Sequence, residues 1–179
     1  MENVLTLIKK DHDAATALFA ELRRLIDADT FSEPDVRECF QNLKRALLSH
    51  QTAEEEAVYS RLRTHGEMKD YAFEGETEHD LAAGLLEKMT YDSPIDERWR
   101  AQLAVLKHAV DHHVEEEELD LFPMMKKAFS PDELVEMGKD LQALKLVVQE
   151  TGTAPLSALR TDAGVRGARP GAEDDIRAG

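Results

Sequence analysis

Apolar residues recur every three to four positions over four long stretches of the chain, which is the period of an amphipathic α-helix. These stretches predict helices over about residues 4–27, 33–63, 69–90 and 94–129, and a fifth helix follows over about residues 131–149. Short loops between long helices favour antiparallel neighbours. The pattern therefore predicts an all-α, up-down-up-down four-helix bundle with an additional C-terminal helix.

Start and stop signals place the ends of these helices. Ser32, Ser93 and Ser130 each precede a proline by one or two residues and are interpreted as N-caps of the second, fourth and fifth helices. Proline cannot close the backbone hydrogen bond to residue i−4, so a kink is predicted at Pro123 in the fourth helix.

Six positions on the four apolar seams are polar, and all six are histidine or glutamate. The first and third helices each carry one histidine, while the second and fourth each carry the pattern H-x-x-x-E, whose two side chains share one helix face. A buried carboxylate without a partner is costly, and imidazole with carboxylate suits divalent iron, manganese or zinc. The sequence therefore predicts a metal site inside the bundle. Its ligands are His12, His50, Glu54, His79, His113 and Glu117.

Six ligands suit two metal ions that share carboxylates better than they suit one ion. In helices of alternating direction the six positions fall at similar depths, with a looser match for the fourth helix. Each ion then has about four protein ligands, which leaves open positions for water, O₂ or peroxide. The expected cofactor is two iron ions (Fe²⁺/Fe³⁺) with a bridging oxo or hydroxo group. The predicted arrangement has Glu54 and Glu117 as bridges, His12 with His50 on one ion, and His79 with His113 on the other.

Other residues compete for places at this site. His112 and Glu116 repeat the H-x-x-x-E spacing one residue earlier. The register with His113 is preferred, because only it places an aromatic residue five positions after its glutamate, as in the second helix. His108, on the flank of the fourth helix, and Glu76, in an E-x-x-H pattern, stay open as further ligands.

The acidic residues around the two motifs are interpreted differently from the ligands themselves. Glu55 and Glu118, with their acidic neighbours, are predicted to face solvent, leaving open that one of them bonds to a ligand. Tyr59 and Trp99 are predicted to pack in the core.

Composition and charge narrow the classes of partner. Hydrophobic residues make up 42% of the 179 and charged residues 33%, which is typical of a soluble helical domain. The formal charge of −15 disfavours nucleic acid or an anionic membrane as a partner. No apolar run approaches the roughly 18 residues of a membrane span, no signal peptide is expected, and a single cysteine, Cys39, fits a cytoplasmic location.

The composition changes near residue 150. Residues 1–150 are predicted to form one helical metal-binding domain. Residues 151–179, rich in Gly, Ala, Arg, Asp and Pro without periodicity, are predicted to be a disordered tail.

Taken together, several motifs resemble the hemerythrin-like, HHE cation-binding domain family. The resemblance covers roughly residues 1–150 and implies a four-helix bundle with a non-haem di-iron centre. It also implies roles in binding O₂, in handling peroxide or nitric oxide, or in sensing iron and oxygen. The motifs are Asn3 to His12, Glu78-His79-Asp80, and the two H-x-x-x-E helices ending in Val58-Tyr59 and Leu121-Phe122-Pro123.

One departure from the family bears on function. Oxygen-carrying hemerythrins have a second histidine one turn from that of the third helix, and here those places hold Ala83 and Gly75. The resulting open position favours oxidative turnover over reversible oxygen carriage. The leading hypothesis is a di-iron protein, monomeric or homodimeric, that binds O₂ or reacts with peroxide or nitric oxide, with catalase-like activity as one form. The alternative is a non-enzymatic iron or oxygen sensor that signals through a partner.

Overall fold

The computed structural model describes residues 2–151 of the chain, with side chains through residue 148. The described part is helical, and the second and fourth helices continue through π-helical turns at Glu55–Tyr59 and Glu117–Leu121 into Ser60–Leu62 and Phe122–Ala128. The predicted four-helix bundle with an additional C-terminal helix is confirmed, whereas the predicted tail lies outside the described residues beyond Thr151. The five main helices are Val4–Ile26, Glu33–Glu54, Met68–Lys88, Glu97–Glu116 and Pro131–Thr151.

Side-chain cap bonds mark the start of three of the five main helices, whereas Ser32 stands at the N-cap position of the second helix without such a bond. Asp96, not Ser93, caps the fourth helix, because its Oδ1 accepts a hydrogen bond from the Trp99 backbone N–H at 2.8 Å. The Ser93 hydroxyl is already used in the preceding turn, where it accepts from the Thr90 backbone N–H at 3.0 Å. The kink predicted at Pro123 stays a prediction. A π-helical turn ends two residues before this proline, and the second helix has such a turn without one.

The apolar core forms two clusters, and the polar seam positions lie between them along every helix of the bundle. One cluster includes Ile8, Ala57 and Leu121, and the other includes Phe19, Leu43 and Leu106. The fifth helix adds buried apolar side chains to the first cluster and covers the first and second helices. The bundle thus holds a polar layer between two hydrophobic ends. None of the helices in residues 2–151 combines the length and apolar character needed to cross a membrane.

Candidate metal centre

The six sequence-predicted ligands come together in the buried layer between the two apolar clusters. None of them is more than 6% exposed, although all six are polar or charged. Their ligand atoms form two overlapping groups of four, and within each group all atoms lie within 4.8 Å of one another. One group is His12, His50, His113 and Glu117, and the other is His50, Glu54, His79 and His113.

Each of the four imidazoles turns its Nδ1 atom outward to a carboxylate. A carboxylate accepts hydrogen bonds, so it holds the proton on Nδ1 and directs the lone pair of a neutral ring's Nε2 towards the centre. This support is the arrangement that orients histidine for a metal ion. The pairs are His12 with Glu118 at 3.0 Å, His50 with Asp11 at 3.4 Å, His79 with Glu55 at 3.1 Å and His113 with Glu78 at 2.9 Å.

The inward atoms of this layer have few partners within the protein. Of seven buried side-chain polar atoms without a hydrogen bond in the described residues, five belong to His12, His50, Glu54 and Glu117. Each such atom costs about 1–3 kcal/mol when nothing satisfies it. Five such atoms in one buried layer, all on imidazole or carboxylate, are what one or more cations would satisfy. The residues present therefore fit the metal that the sequence predicts.

The two glutamates lie between the histidines of the layer, and each belongs to one of the two groups of four. Each has an oxygen within 4.0 Å of at least one histidine of each predicted pair. The imidazole rings are also closer within the predicted pairs, with centroids 5.2 Å and 4.7 Å apart, than between them, where separations run from 5.9 to 6.4 Å. Glu54 Oε2 lies 3.2 Å from His50 Nε2 and 3.7 Å from His79 Nε2. Glu117 Oε2 lies 3.4 Å from His12 Nε2 and 3.6 Å from His113 Nε2.

Without a metal ion, the ionisable side chains of the layer differ widely in pKa. Burial lowers the pKa of His50, but the charge of Glu54 and the bond to Asp11 outweigh it and raise this pKa to about 10. Burial and the neighbouring imidazoles hold the pKa of His79 well below its usual range. Burial would raise the pKa of Glu117, yet its histidine neighbours lower it to about 2. A metal ion bound by this layer near neutral pH would have to displace a proton from His50 and would meet a Glu117 that is already ionised.

Tyr59 joins this layer, although the sequence predicts only a packing role for it. Its hydroxyl donates a hydrogen bond of 2.6 Å to Glu117 Oε1, and its ring stacks on His79 with centroids 5.6 Å apart. In an α-helix Tyr59 would point about 140° away from Glu54. The wider π-helical turn, with its i to i+5 hydrogen bonds, makes this angle smaller. The π-helical turn therefore aims the phenol at the centre.

Gly75 gives Tyr59 the space it occupies. A Cβ atom on Gly75 would lie 2.8 Å from Tyr59 Cζ, which is too close for two carbon atoms. Gly75 is also one of the two places where the resemblance implies a second histidine in oxygen carriers. In this chain the phenol of Tyr59 lies against that place instead.

Removing the Tyr59 hydroxyl should destabilise the metal-free protein. Tyr59→Phe leaves Glu117 Oε1 buried without its donor, and the expected loss in the free energy of unfolding is about 1–3 kcal/mol. Urea unfolding of the metal-free protein measures it. Tyr91→Phe is the matched control, because Tyr91 is 62% exposed and should lose little. Equal losses in the two variants would contradict a buried charge-assisted bond.

The competing residues lie outside the cluster. His112 and His108 are exposed on the fourth helix, while His113 points inward. Glu76 is buried, but it pairs with Arg63, whose Nε donates to it at 2.8 Å. None of these three belongs to either of the two buried groups of four.

Two acidic residues predicted to face solvent instead support ligands. Glu55 is only 6% exposed and bonds to His79, and Glu118 bonds to His12. The prediction left room for one such residue, and the structure has both. Each directly follows the glutamate of its H-x-x-x-E motif, a repeated signal that was present in the sequence.

Comparison of the sequence with known proteins identifies the family of this chain. A protein of Nostoc sp. (strain PCC 7120 / SAG 25.82 / UTEX 2576) named DNA nickase is 27% identical over 168 residues. The match covers 91% of this chain but 44% of that protein, so the chain spans less than half of the relative's length. No solved structure matches the chain. The family model described as Hemerythrin HHE cation binding domain matches residues 3–125, which include all six predicted ligands. The chain therefore belongs to the hemerythrin HHE cation-binding domain family.

Proposed function

We propose that this chain holds two iron ions in the buried layer and uses them to bind O₂ or to react with peroxide or nitric oxide. The observation that carries the proposal is the convergence of inward imidazole and carboxylate atoms in two overlapping groups of four, several of them without a hydrogen bond. Four histidines and two shared carboxylates fill only part of the coordination of two such ions. An iron pair bound there would supply open coordination positions and electrons.

A cavity beside the layer supports a small-molecule partner. His12, His50, His79 and His113 line it on one side, and its other lining includes small side chains such as Ala15 and Ala82. Its volume of about 20 Å³ is room for roughly one water-sized molecule. O₂, peroxide and nitric oxide are of that size, whereas a larger organic substrate would not fit.

Within this proposal, turnover is favoured over reversible oxygen carriage. The third helix has no second histidine, so one ion keeps an open position for an oxidant. The Tyr59 hydroxyl, hydrogen-bonded to Glu117 at 2.6 Å, is a proton donor already inside the layer. Burial and the nearby carboxylates raise the pKa of Tyr59, so this proton is retained at neutral pH.

Nicking of DNA, the activity in the relative's name, is not part of the proposal. The chain spans 44% of that protein, and a formal charge of −15 repels a polyanion.

A sensing role is the second candidate, and the fifth helix favours it. Lys145 on that helix forms an ion pair with Asp11 Oδ1, and Asp11 Oδ2 lies 3.4 Å from His50 Nδ1. The fifth helix begins after residue 125, where the family match ends. A change at His50 could thus reach an element outside the matched domain. Peroxide turnover separates the two candidates, because a sensor binds its signal without consuming it.

The test is metal analysis and optical spectroscopy of protein purified aerobically, followed by addition of peroxide. We expect about two irons per chain, a spectrum that changes with peroxide, and consumption of the peroxide. Chelation should lower the melting temperature, since metal compensates for the unpaired buried atoms. His108→Ala is the control and should match the unmodified protein. Protein that takes up no iron, or whose melting is indifferent to chelator, would contradict the proposal.

A further inference from the structure

We propose that Glu78, His112 and Glu116 form an outer docking site that captures a divalent cation and directs it to the buried layer. The proposal rests on the proposed function, because it requires that layer to bind metal. It concerns a different set of side chains, on the surface between the third and fourth helices.

The three side chains present ligand atoms to one point. His112 Nε2 lies 3.7 Å from Glu78 Oε1 and 3.6 Å from Glu116 Oε1. The three ligand atoms lie within 4.8 Å of one another, a spacing that one cation can span. No lysine or arginine within residues 2–148 forms an ion pair with Glu78 or Glu116. One imidazole and two carboxylates without a basic partner suit a divalent ion such as Fe²⁺.

The exposed fraction of the three side chains decreases from the surface towards the buried layer, as a route for an incoming ion requires. The side chain of His112 is 61% exposed, that of Glu116 is 33% exposed, and that of Glu78 is 17% exposed. A hydrated ion therefore meets His112 first and Glu78 last.

Glu78 joins the outer trio to the buried layer. Its Oε1 faces His112, while its Oε2 accepts a hydrogen bond from His113 Nδ1 at 2.9 Å. One carboxylate therefore contacts both neighbouring histidines, one exposed and one buried. A cation held by Glu78 is one side chain away from the predicted ligand His113.

A cavity runs beside this carboxylate and supplies an independent observation. Its lining includes Glu78 and Glu116 from the outer trio and His113 and Glu117 from the buried layer. Glu117 is 4% exposed, and its Oε2 has no hydrogen-bond partner among the described residues. The cavity has about 10 Å³ of space, close to what one water molecule needs. The same small cavity therefore touches two of the three outer ligands and two residues of the buried layer.

The experiment measures how fast the metal-free protein takes up metal. Co²⁺ is mixed with the protein in a stopped-flow instrument, and the visible absorption of the bound ion reports uptake. His112→Ala combined with Glu116→Gln is the test variant. His108→Ala combined with Glu115→Gln is the matched control, because it removes the same groups from exposed positions on the same helix. Glu78 is left unchanged, since it also contacts His113.

We expect the test variant to load about tenfold more slowly at low ionic strength, the lower end of what charge steering adds to association rates. The difference should shrink at high salt, which screens exposed charges. The final metal content, measured with both Co²⁺ and Fe²⁺, should equal that of the unmodified protein. The control should load at the unmodified rate.

Other outcomes would overturn the inference in distinguishable ways. If the unmodified protein loads and the test variant loads as fast, the outer site is wrong while the proposed function stands. If the test variant instead loses its final metal content, the three residues belong to the centre itself. If the unmodified protein takes up no metal, both proposals fail together.

Discussion

Replacing His113 with alanine should remove most of the iron from the protein, whereas replacing its neighbour His112 should leave the iron in place. His113 is buried, and its Nε2 lies 3.2 Å from His79 Nε2 and 3.6 Å from Glu117 Oε2. In the predicted arrangement its Nε2 holds one ion together with His79, so that ion would lose one of its protein ligands. His112 points away from the layer because a one-residue step turns the side chain by about 100° on an α-helix.

The measurement is iron per chain after loading each variant with excess Fe²⁺ to completion. Complete loading matters, since the docking proposal expects slower uptake when His112 is part of the substitution. Circular dichroism of the metal-free variants shows whether each has folded. The reverse outcome, with iron kept by His113→Ala and lost by His112→Ala, would move the ligand pair to His112 and Glu116.

Replacing either of the two carboxylates proposed as bridges should have the next largest effect. Glu54→Ala and Glu117→Ala should each lose most of their iron, because each glutamate faces one histidine of each pair. The difference in melting temperature between the metal-loaded and the chelated protein should disappear as well. Iron analysis and melting curves with and without chelator measure the two effects.

Glu76→Ala is the matched control for this experiment. Glu76 is also a buried glutamate, at 8% exposed, but it pairs with Arg63 outside the layer. Removing Glu76 takes a hydrogen-bond acceptor from the partly exposed Arg63, so this variant should melt slightly earlier while still binding iron. Full iron and an unchanged spectrum in Glu54→Ala or Glu117→Ala would show that the bridge assignment is wrong.

The pattern of the sequence was sufficient to predict which residues meet in the buried layer. His12, His50, Glu54 and His79 each interrupt an otherwise apolar seam of period 3.6, so burying the seam buries them too. Four helices with short loops then bring the interruptions to one level. The start of the fifth helix could also be predicted, because its signal, a serine followed by a proline, depends on neighbouring residues alone.

The supporting residues could not be derived from that period. A regular helix sends Glu55, Glu118 and Tyr59 away from the seam, and the two π-helical turns bring them back towards it. Such a turn gains from tertiary contacts, here the bonds to His79, His12 and Glu117, and local sequence preferences do not reveal it.

Sequence by itself determined the helical class and the six inward polar positions, because these depend on periodicity within single helices. It also determined the choice of His113 over His112, because the aromatic residue that follows each H-x-x-x-E motif fixes the register. Tertiary structure alone decided which carboxylate supports which imidazole, that Tyr59 fills the space left by Gly75, and that Glu78 links a surface trio to the buried layer. These features bring together residues of different helices that are 16 to 106 positions apart in the sequence. Tyr59 and Gly75 are the nearest such pair, and His12 and Glu118 are the most distant. Their partners are chosen by the packing of whole helices, a long-range outcome that no local pattern encodes.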